Sequence, residues 1–369
     1  MQESNRAPGL DLLRALAVTM VIVFHFSNEA KGAVFAGLGQ YGWMGVDLFF
    51  VLSGYLIGTQ MFRPIARGER LRIRQFFVRR FLRTLPNFLV ILLIYFCFDS
   101  LRERPDLPPL WKYLTFSQNI DLDRSSTGAF SHAWSLCVEE QFYILLPLLS
   151  LFAIPRATGR RLVTIFFALF IGGIILRAGI WHWIVAPLRP HAQAQFGSIY
   201  DKFIYYPTYA RLDGLLVGVA LALVKVFRPQ AWRGLLESGL GALAVAAALL
   251  VAAAMLDKFS MIGAALTYPL IALGFGSLLI AGLSPKLIIS KWKIPGVRTV
   301  ALLSYGIYLI QKLVFHWAKN VLPDFGVQPY TYLGFLMTMA LCVFLAFILY
   351  LAVERPFLKI REHLAFEVS

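Results

Sequence analysis

The sequence predicts an all-α membrane protein: a bundle of about ten transmembrane helices with both termini in the cytoplasm. Three observations lead there. Of the 369 residues, 59% are hydrophobic and only 15% charged, whereas ordinary globular domains carry roughly a quarter charged residues. Apolar runs long enough to cross a hydrocarbon core of about 30 Å recur along the whole chain. Lysines and arginines gather on alternate connecting segments, as the positive-inside rule requires of cytoplasmic loops. The same composition excludes collagen, disorder and a disulfide scaffold, and long runs such as 240–256 exclude a transmembrane β-barrel.

The spans are expected at 9–27, 44–62, 76–98, 139–154, 162–184, 211–227, 239–256, 262–283, 299–319 and 331–352. The first holds Arg14 and His25 and has no small-residue cleavage site after it, so it reads as a span and not as a removable signal. The second is glycine-bearing and apolar, and the third is entered through a run of arginines. The fourth is short and polar at its start. After the fifth, residues 184–210 are polar, aromatic and proline-bearing, a place for a partial or re-entrant helix. Arg211 and Asp213 open the sixth. The seventh and eighth are almost wholly apolar. The ninth carries a polar stripe of Ser304, Tyr305, Tyr308, Gln311 and Lys312, and Glu354-Arg355-Pro356 closes the tenth as a juxtamembrane cap.

The loops on the side of the termini hold 22 lysines and arginines and the opposite loops nine. That bias puts the termini inside and the 99–138 loop outside. Residues 1–369 read as a single membrane domain with no fused extracytoplasmic domain. The net charge of +15 is spread over membrane-flanking loops, so nucleic acid is not an expected partner. Cys97, Cys137 and Cys342 are odd in number and widely spaced, and they read as small apolar residues. His182, His191, His316 and His363 do not recur at ligand spacing, and the zinc-protease, nucleophile-elbow, P-loop and Rossmann fingerprints are absent. No metal is expected.

Ionisable groups inside a span cost a few kcal/mol on insertion scales, so each needs a partner or a wet cavity. Arg14 and His25 are eleven residues apart. At about 100° per residue they share one helix face, about 16 Å apart along the axis. Taken singly, Arg14 can snorkel to the headgroups and His25 can be satisfied by a backbone carbonyl. Arg63, Arg67, Arg70, Arg72 and Arg74 are a positive-inside anchor. Arg79, Arg80 and Arg83 cluster at spacings of three and four, and Arg83 already lies in the apolar span, where a guanidinium fork suits phosphate. His132, Trp134, Glu139, Glu140 and Tyr143 end the 99–138 loop. Trp134 and Tyr143 fit interfacial aromatics, and Glu139 and Glu140 fit a helix start. A carboxylate on that side can also orient the His25 imidazole. Arg211 and Asp213 are two apart, face opposite ways on a helix and require partners elsewhere.

Five separated motifs, taken in order, resemble the acyltransferase-3 family of integral membrane O-acyltransferases. They are Gly9-Leu10-Asp11 with Arg14 and His25; Gly45-Val46-Asp47 through Ser53-Gly54; Arg79-Arg80, Arg83 and Pro86; His132 and Trp134-Ser135-Leu136 with Glu139-Glu140-Gln141-Phe142-Tyr143; and Val353-Glu354-Arg355-Pro356. The resemblance implies transfer of an acyl group, often acetyl, from acyl-CoA to a hydroxyl of a glycan, glycolipid or other acceptor. It places Arg14 and His25 at the functional centre and associates Arg80 and Arg83 with function. Many members carry a histidine after Tyr-Leu in the ninth span, where this chain has Tyr308-Leu309-Ile310-Gln311, so a second-histidine role is not expected.

The combined expectation has Arg79, Arg80 and Arg83, with Arg14, holding the acyl-CoA phosphates. His25 acts as base, aligned by Glu139 or Glu140, and His132, Trp134, Tyr143, Arg211 and Asp213 contact the acceptor. The expected setting is a bacterial inner membrane, with lipid around the bundle and a separate partner protein or a second copy as company. The rival readings are a secondary transporter or flippase with a path through Arg14, His25 and Arg211, and a non-catalytic membrane scaffold.

Overall fold

The computed structural model describes residues 7–32, 34–69, 71–124, 126–153, 159–188 and 195–366; Arg70 and His191 lie outside them. The main helices are α1 (Pro8–Glu29), α2 (Gly45–Ala66), α3 (Ile73–Cys97), α4 (Trp134–Ala153), α5 (Gly159–Ile180), α6 (Asp213–Phe227), α7 (Pro229–Glu237), α8 (Gly239–Met255), α9 (Met261–Leu283), α10 (Val297–Val321), α11 (Tyr332–Leu349) and α12 (Arg355–Phe366). Among the described residues there is no strand. Each of the ten expected stretches overlaps a helix among the described residues. Among the described residues seven helical stretches are long and apolar enough to cross a membrane, and an eighth is added if the α6–α7 pair counts as one span.

Two boundaries differ in a way that matters. The fourth helix begins at Trp134, after a 3-10 turn over Ser131–Ala133. Glu139 and Glu140 therefore sit in its second turn, where the macrodipole acts on them less. The sixth begins at Asp213, which leaves Arg211 in the connection before it. Within 184–210 a short helix, Phe196–Tyr200, runs on into a wider turn over Asp201–Tyr205.

The chain divides into two compact units. The first comprises Met1–Leu13, Val46–Leu71 and Asp106–Lys293. In it α8 and α9 form a close antiparallel hairpin, and α9 also packs on α5 and α6. Alanine and glycine dominate α8, so its backbone can approach α9 closely. Ser260 caps α9 by accepting from the Gly263 amide at 3.0 Å. The α2–α6 crossing is close as well. A Cβ on Gly54 would overlap the Leu215 carbonyl, and one on Gly218 would overlap the Val51 carbonyl. At Arg228 the backbone leaves helical geometry, and α7 departs at 116° from α6. Pro229 starts α7, where its missing N–H costs nothing. Trp232 is buried while Arg233 and Glu237 are exposed, so α7 is amphipathic.

The second unit comprises Arg14–Gly45, Arg72–Pro105 and Ile294–Ser369. Here α10 packs on α11, and α3 packs on α10 and α12. Thr331 caps α11 by accepting from the Gly334 amide at 3.1 Å. Phe26, near the end of α1, meets Phe315 at 5.6 Å and Phe335 at 5.0 Å, both edge-on. Such aromatic pairs each add about 0.5–1.5 kcal/mol beyond area burial. Cys137 and Cys342 are buried, whereas Cys97 is exposed.

Candidate functional site

In the second unit Arg14 and His25 lie on the unbroken α1, which fixes their eleven-residue spacing as about 16 Å of helix rise. Both side chains are half-buried, and Nδ1 of His25 is fully buried. Phe24 lies 5.5 Å from the imidazole.

Arg79, Arg80 and Arg83 occupy the first turns of α3 and are half-buried. They are followed by a set of polar contacts that ties α3 to its neighbours. Pro86 has no N–H for the Leu82 carbonyl. Two residues before it, Thr84 donates to the Arg80 carbonyl at 3.2 Å while its own carbonyl accepts from the Tyr305 hydroxyl at 3.0 Å. Asn87 donates to Glu354 Oε2 at 3.0 Å, both residues being buried. Glu354 reaches that position from a wide five-residue turn, Tyr350–Glu354, between α11 and α12. It is therefore an interior carboxylate, not a juxtamembrane cap exposed to headgroups. At the other end of α3, Glu103 accepts from Tyr95 at 2.9 Å and pairs with Lys312 at 3.7 Å. The polar stripe of α10 thus divides between α3 and the segment after it. Gln311, wholly buried, donates to the Tyr308 carbonyl at 3.1 Å within its own helix.

The first unit carries the other expected residues, and all but Glu139 are buried. Glu139 Oε2 accepts from Ser53 at 3.1 Å and from Tyr143 at 2.7 Å, which joins α4 to α2. Glu140 is 5% exposed. His132 lies edge-on against Phe130 at 5.1 Å, beside a left-handed backbone at Phe130 (φ 51°). Arg211 and Asp213 do not pair with each other. Arg211 donates to Asp47 Oδ1 at 2.8 Å and to the Tyr205 carbonyl at 3.3 Å. Its guanidinium stands 4.1 Å from the Tyr268 ring centroid, 4.7 Å from Tyr205 and 5.2 Å from Trp134. Asp213 is held by both Arg177 nitrogens, at 2.7 and 3.0 Å, and Arg177 donates as well to the Ala210 and Ala265 carbonyls. Two buried cations are thus matched by two buried carboxylates in an aromatic cage, the only economical way to keep such charges in low dielectric.

Sequence reasoning missed an amide–hydroxyl network that fastens the 99–138 loop. Asn119 donates to Thr208 at 2.8 Å and to the Tyr206 carbonyl at 3.1 Å. Thr208 donates to Gln141 at 2.6 Å, and Gln141 donates to the Phe116 carbonyl at 2.7 Å and to Asn119 at 3.1 Å. Nearby, Arg124 lies 3.8 Å from Asp201 and donates to the Tyr206 hydroxyl at 3.3 Å. Burial pushes the Asp201 carboxyl above its ordinary value although Arg124 opposes the shift. Tyr206, and then Asp201, push the Arg124 guanidinium up, while burial lowers the Lys258 ammonium. Among the described residues no group of three His, Cys, Asp or Glu side chains could hold a metal ion.

What the arrangement offers chemically is a half-buried imidazole on α1 and a cluster of guanidiniums at the start of α3 in the second unit, and a buried ionic frame in the first. Comparison with known proteins adds to this. Residues 8–351 match the family described as acyltransferase domain, Acyl_transf_3. "O-acetyltransferase OatA" of Staphylococcus aureus (strain NCTC 8325 / PS 47) is 29% identical over 239 residues, which are 61% of this chain and 36% of that protein. "Putative O-acetyltransferase SACOL0978" of Staphylococcus aureus (strain COL) is 26% identical over 372 residues, 95% of this chain and 57% of that protein. The matched part is thus about a third to a little over half of these relatives' length. No solved structure matches.

Proposed function

The chain belongs to the acyltransferase-3 family, and from that premise we propose that it moves an acyl group, acetyl first among candidates, from cytoplasmic acyl-CoA to a hydroxyl of a cell-envelope glycan, glycolipid or other acceptor. The O-acetyltransferase names of its relatives support the acetyl reading. The observation that carries the proposal is the placing of Arg14 and His25 on one face of the unbroken α1, inside the family match.

In this reading Arg79, Arg80, Arg83 and Arg14 bind the phosphates of acyl-CoA, since guanidinium forks match phosphate oxygens bidentately. His25 takes the proton of the acceptor hydroxyl as that oxygen attacks the thioester carbonyl. The carbon–sulfur bond breaks, the ester forms, and the proton passes to the departing thiolate. A half-buried imidazole on a helix face suits general-base work, the commonest role of histidine in proton transfer. Arg211 and Asp213, held by Asp47 and Arg177, act as frame for the residues that meet the acceptor, namely His132, Trp134 and Tyr143. The setting is the inner membrane of a bacterium, with both termini cytoplasmic.

Purified protein of confirmed fold, given labelled acyl-CoA and envelope acceptor, tests the reading. His25→Ala should lower turnover about 10²–10⁴-fold, and wild-type turnover by that variant would remove His25 from the chemistry. A cycle of His25→Ala with Glu139→Gln or Glu140→Gln tests the carboxylate role: losses that multiply independently confine the glutamates to the frame.

A further inference from the structure

The first unit holds a cavity of about 450 Å³ lined from α2, α6, the start of α1 and the end of α9. Its wall has two characters. Leu10, Leu56 and Leu283 are apolar, while Thr59, Arg63 and Lys225 are polar or cationic. Tyr55, Thr59 and Arg63 are four residues apart in turn, so they form one stripe along α2.

The cations are presented differently. Lys225 is fixed: it donates to the Tyr55 hydroxyl at 2.6 Å and lies 4.7 Å from the Tyr55 ring centroid, with Trp232 stacked on Tyr55 at 5.9 Å. Arg63 is exposed at the mouth. Arg67, further out, already has Glu69 at 4.0 Å and contributes less. Thr59 is only 7% exposed, lines the cavity, and has a fully buried hydroxyl with no hydrogen-bond partner. A buried hydroxyl is rarely left in that condition without something to accept its proton.

Two cations and an unsatisfied donor beside an apolar wall match an anion joined to an apolar arm. We propose that this cavity binds a phosphate ester carried on such an arm, with the phosphate held by Arg63 and Lys225 and accepting from Thr59. The chemistry is shared by a phospholipid headgroup and by the phosphorylated end of a soluble amphiphile. It does not depend on the acyl-transfer reading, and it uses none of the residues assigned to that reaction.

The test uses the full chain, purified in phosphate-free detergent and titrated with three probes. These are phosphatidylglycerol, diacylglycerol as its phosphate-free counterpart, and adenosine 3′,5′-bisphosphate. Native mass spectrometry reads the lipids and calorimetry reads the nucleotide. Saturable binding of a phosphate-bearing probe, with diacylglycerol far weaker, is the expected result, and whichever phosphate probe binds tighter identifies the source. Arg63→Gln, at an exposed position that folding does not need, should weaken that binding about tenfold, the effect of one lost charge-assisted hydrogen bond. Thr59→Val should weaken it in the same direction at unchanged thermal stability. Failure of both phosphate probes to bind, equal binding of diacylglycerol, or full binding by Arg63→Gln would overturn the proposal.

Discussion

At Arg177 the side chain is 1% exposed, yet it sits on α5 among residues such as Ile175 and Leu176 that face outward. Its guanidinium spends every contact on the interior: two bonds to Asp213 and two to backbone carbonyls. Removing one partner strands the other charge, which costs about 3–5 kcal/mol in buried pairs. Asp213→Ala and Asp47→Ala should each lower the thermal midpoint sharply in detergent. Arg177→Lys should also destabilise, because a lysine cannot reproduce the fork. Asp201 gives a pH signature. Its folded-state pKa lies above the ordinary value, so its stabilising contribution is present at acid pH and lost as pH rises through the raised value. Relative to Asp201→Asn, wild-type stability should therefore fall as pH is raised from about 4. The need of Arg211 and Asp213 for partners was legible from their spacing. Which partners they take was not, because Asp47 is 164 residues away from Arg211 and no local period links them.

Helices were the most legible level, since an apolar run of spanning length leaves the backbone no other way to satisfy its polar groups in lipid. Their ends were less so. The start of α4 depends on a 3-10 turn, and that of α6 on how Arg211 and Asp213 are claimed by different neighbours. Helix crossings depend on single atoms. Gly54 and Gly218 face each other's helices so closely that any side chain meets a backbone carbonyl, which cannot swing aside as a flexible side chain would. Gly218→Leu should separate α2 from α6 and cost several kcal/mol by overpacking, detectable as loss of the folded peak in size-exclusion chromatography. Gly241→Ala, in α8 with open space around it, should be neutral or slightly stabilising. Glu354 shows the limit of local reading: only the wide turn before α12 carries it inward to Asn87.

Over the whole molecule, charge bias assigns a side to every loop, and that assignment is open to direct chemistry. With Cys97 replaced by Ala, a membrane-impermeant maleimide should label Ser126→Cys from outside in intact cells and Lys291→Cys only after permeabilisation. The reverse pattern would invert the topology. The family was legible because five short motifs recur in order across the chain, whereas their residues divide between the two compact units: Arg14, His25, the α3 arginines and Glu354 in one, Asp47, Glu139 and Glu140 in the other. The acceptor is legible in neither sequence nor fold: Arg211 and Asp213, which their spacing offered to it, are held by Asp47 and Arg177 instead. Acyl transfer by His25 is tested most directly inside the cell. Mass spectrometry of envelope glycans and lipids would compare a deletion strain complemented with the wild type or with His25→Ala at matched membrane abundance. An ester restored by the wild type and at least about a hundredfold scarcer with the variant is the expected result; equal restoration by both would contradict it.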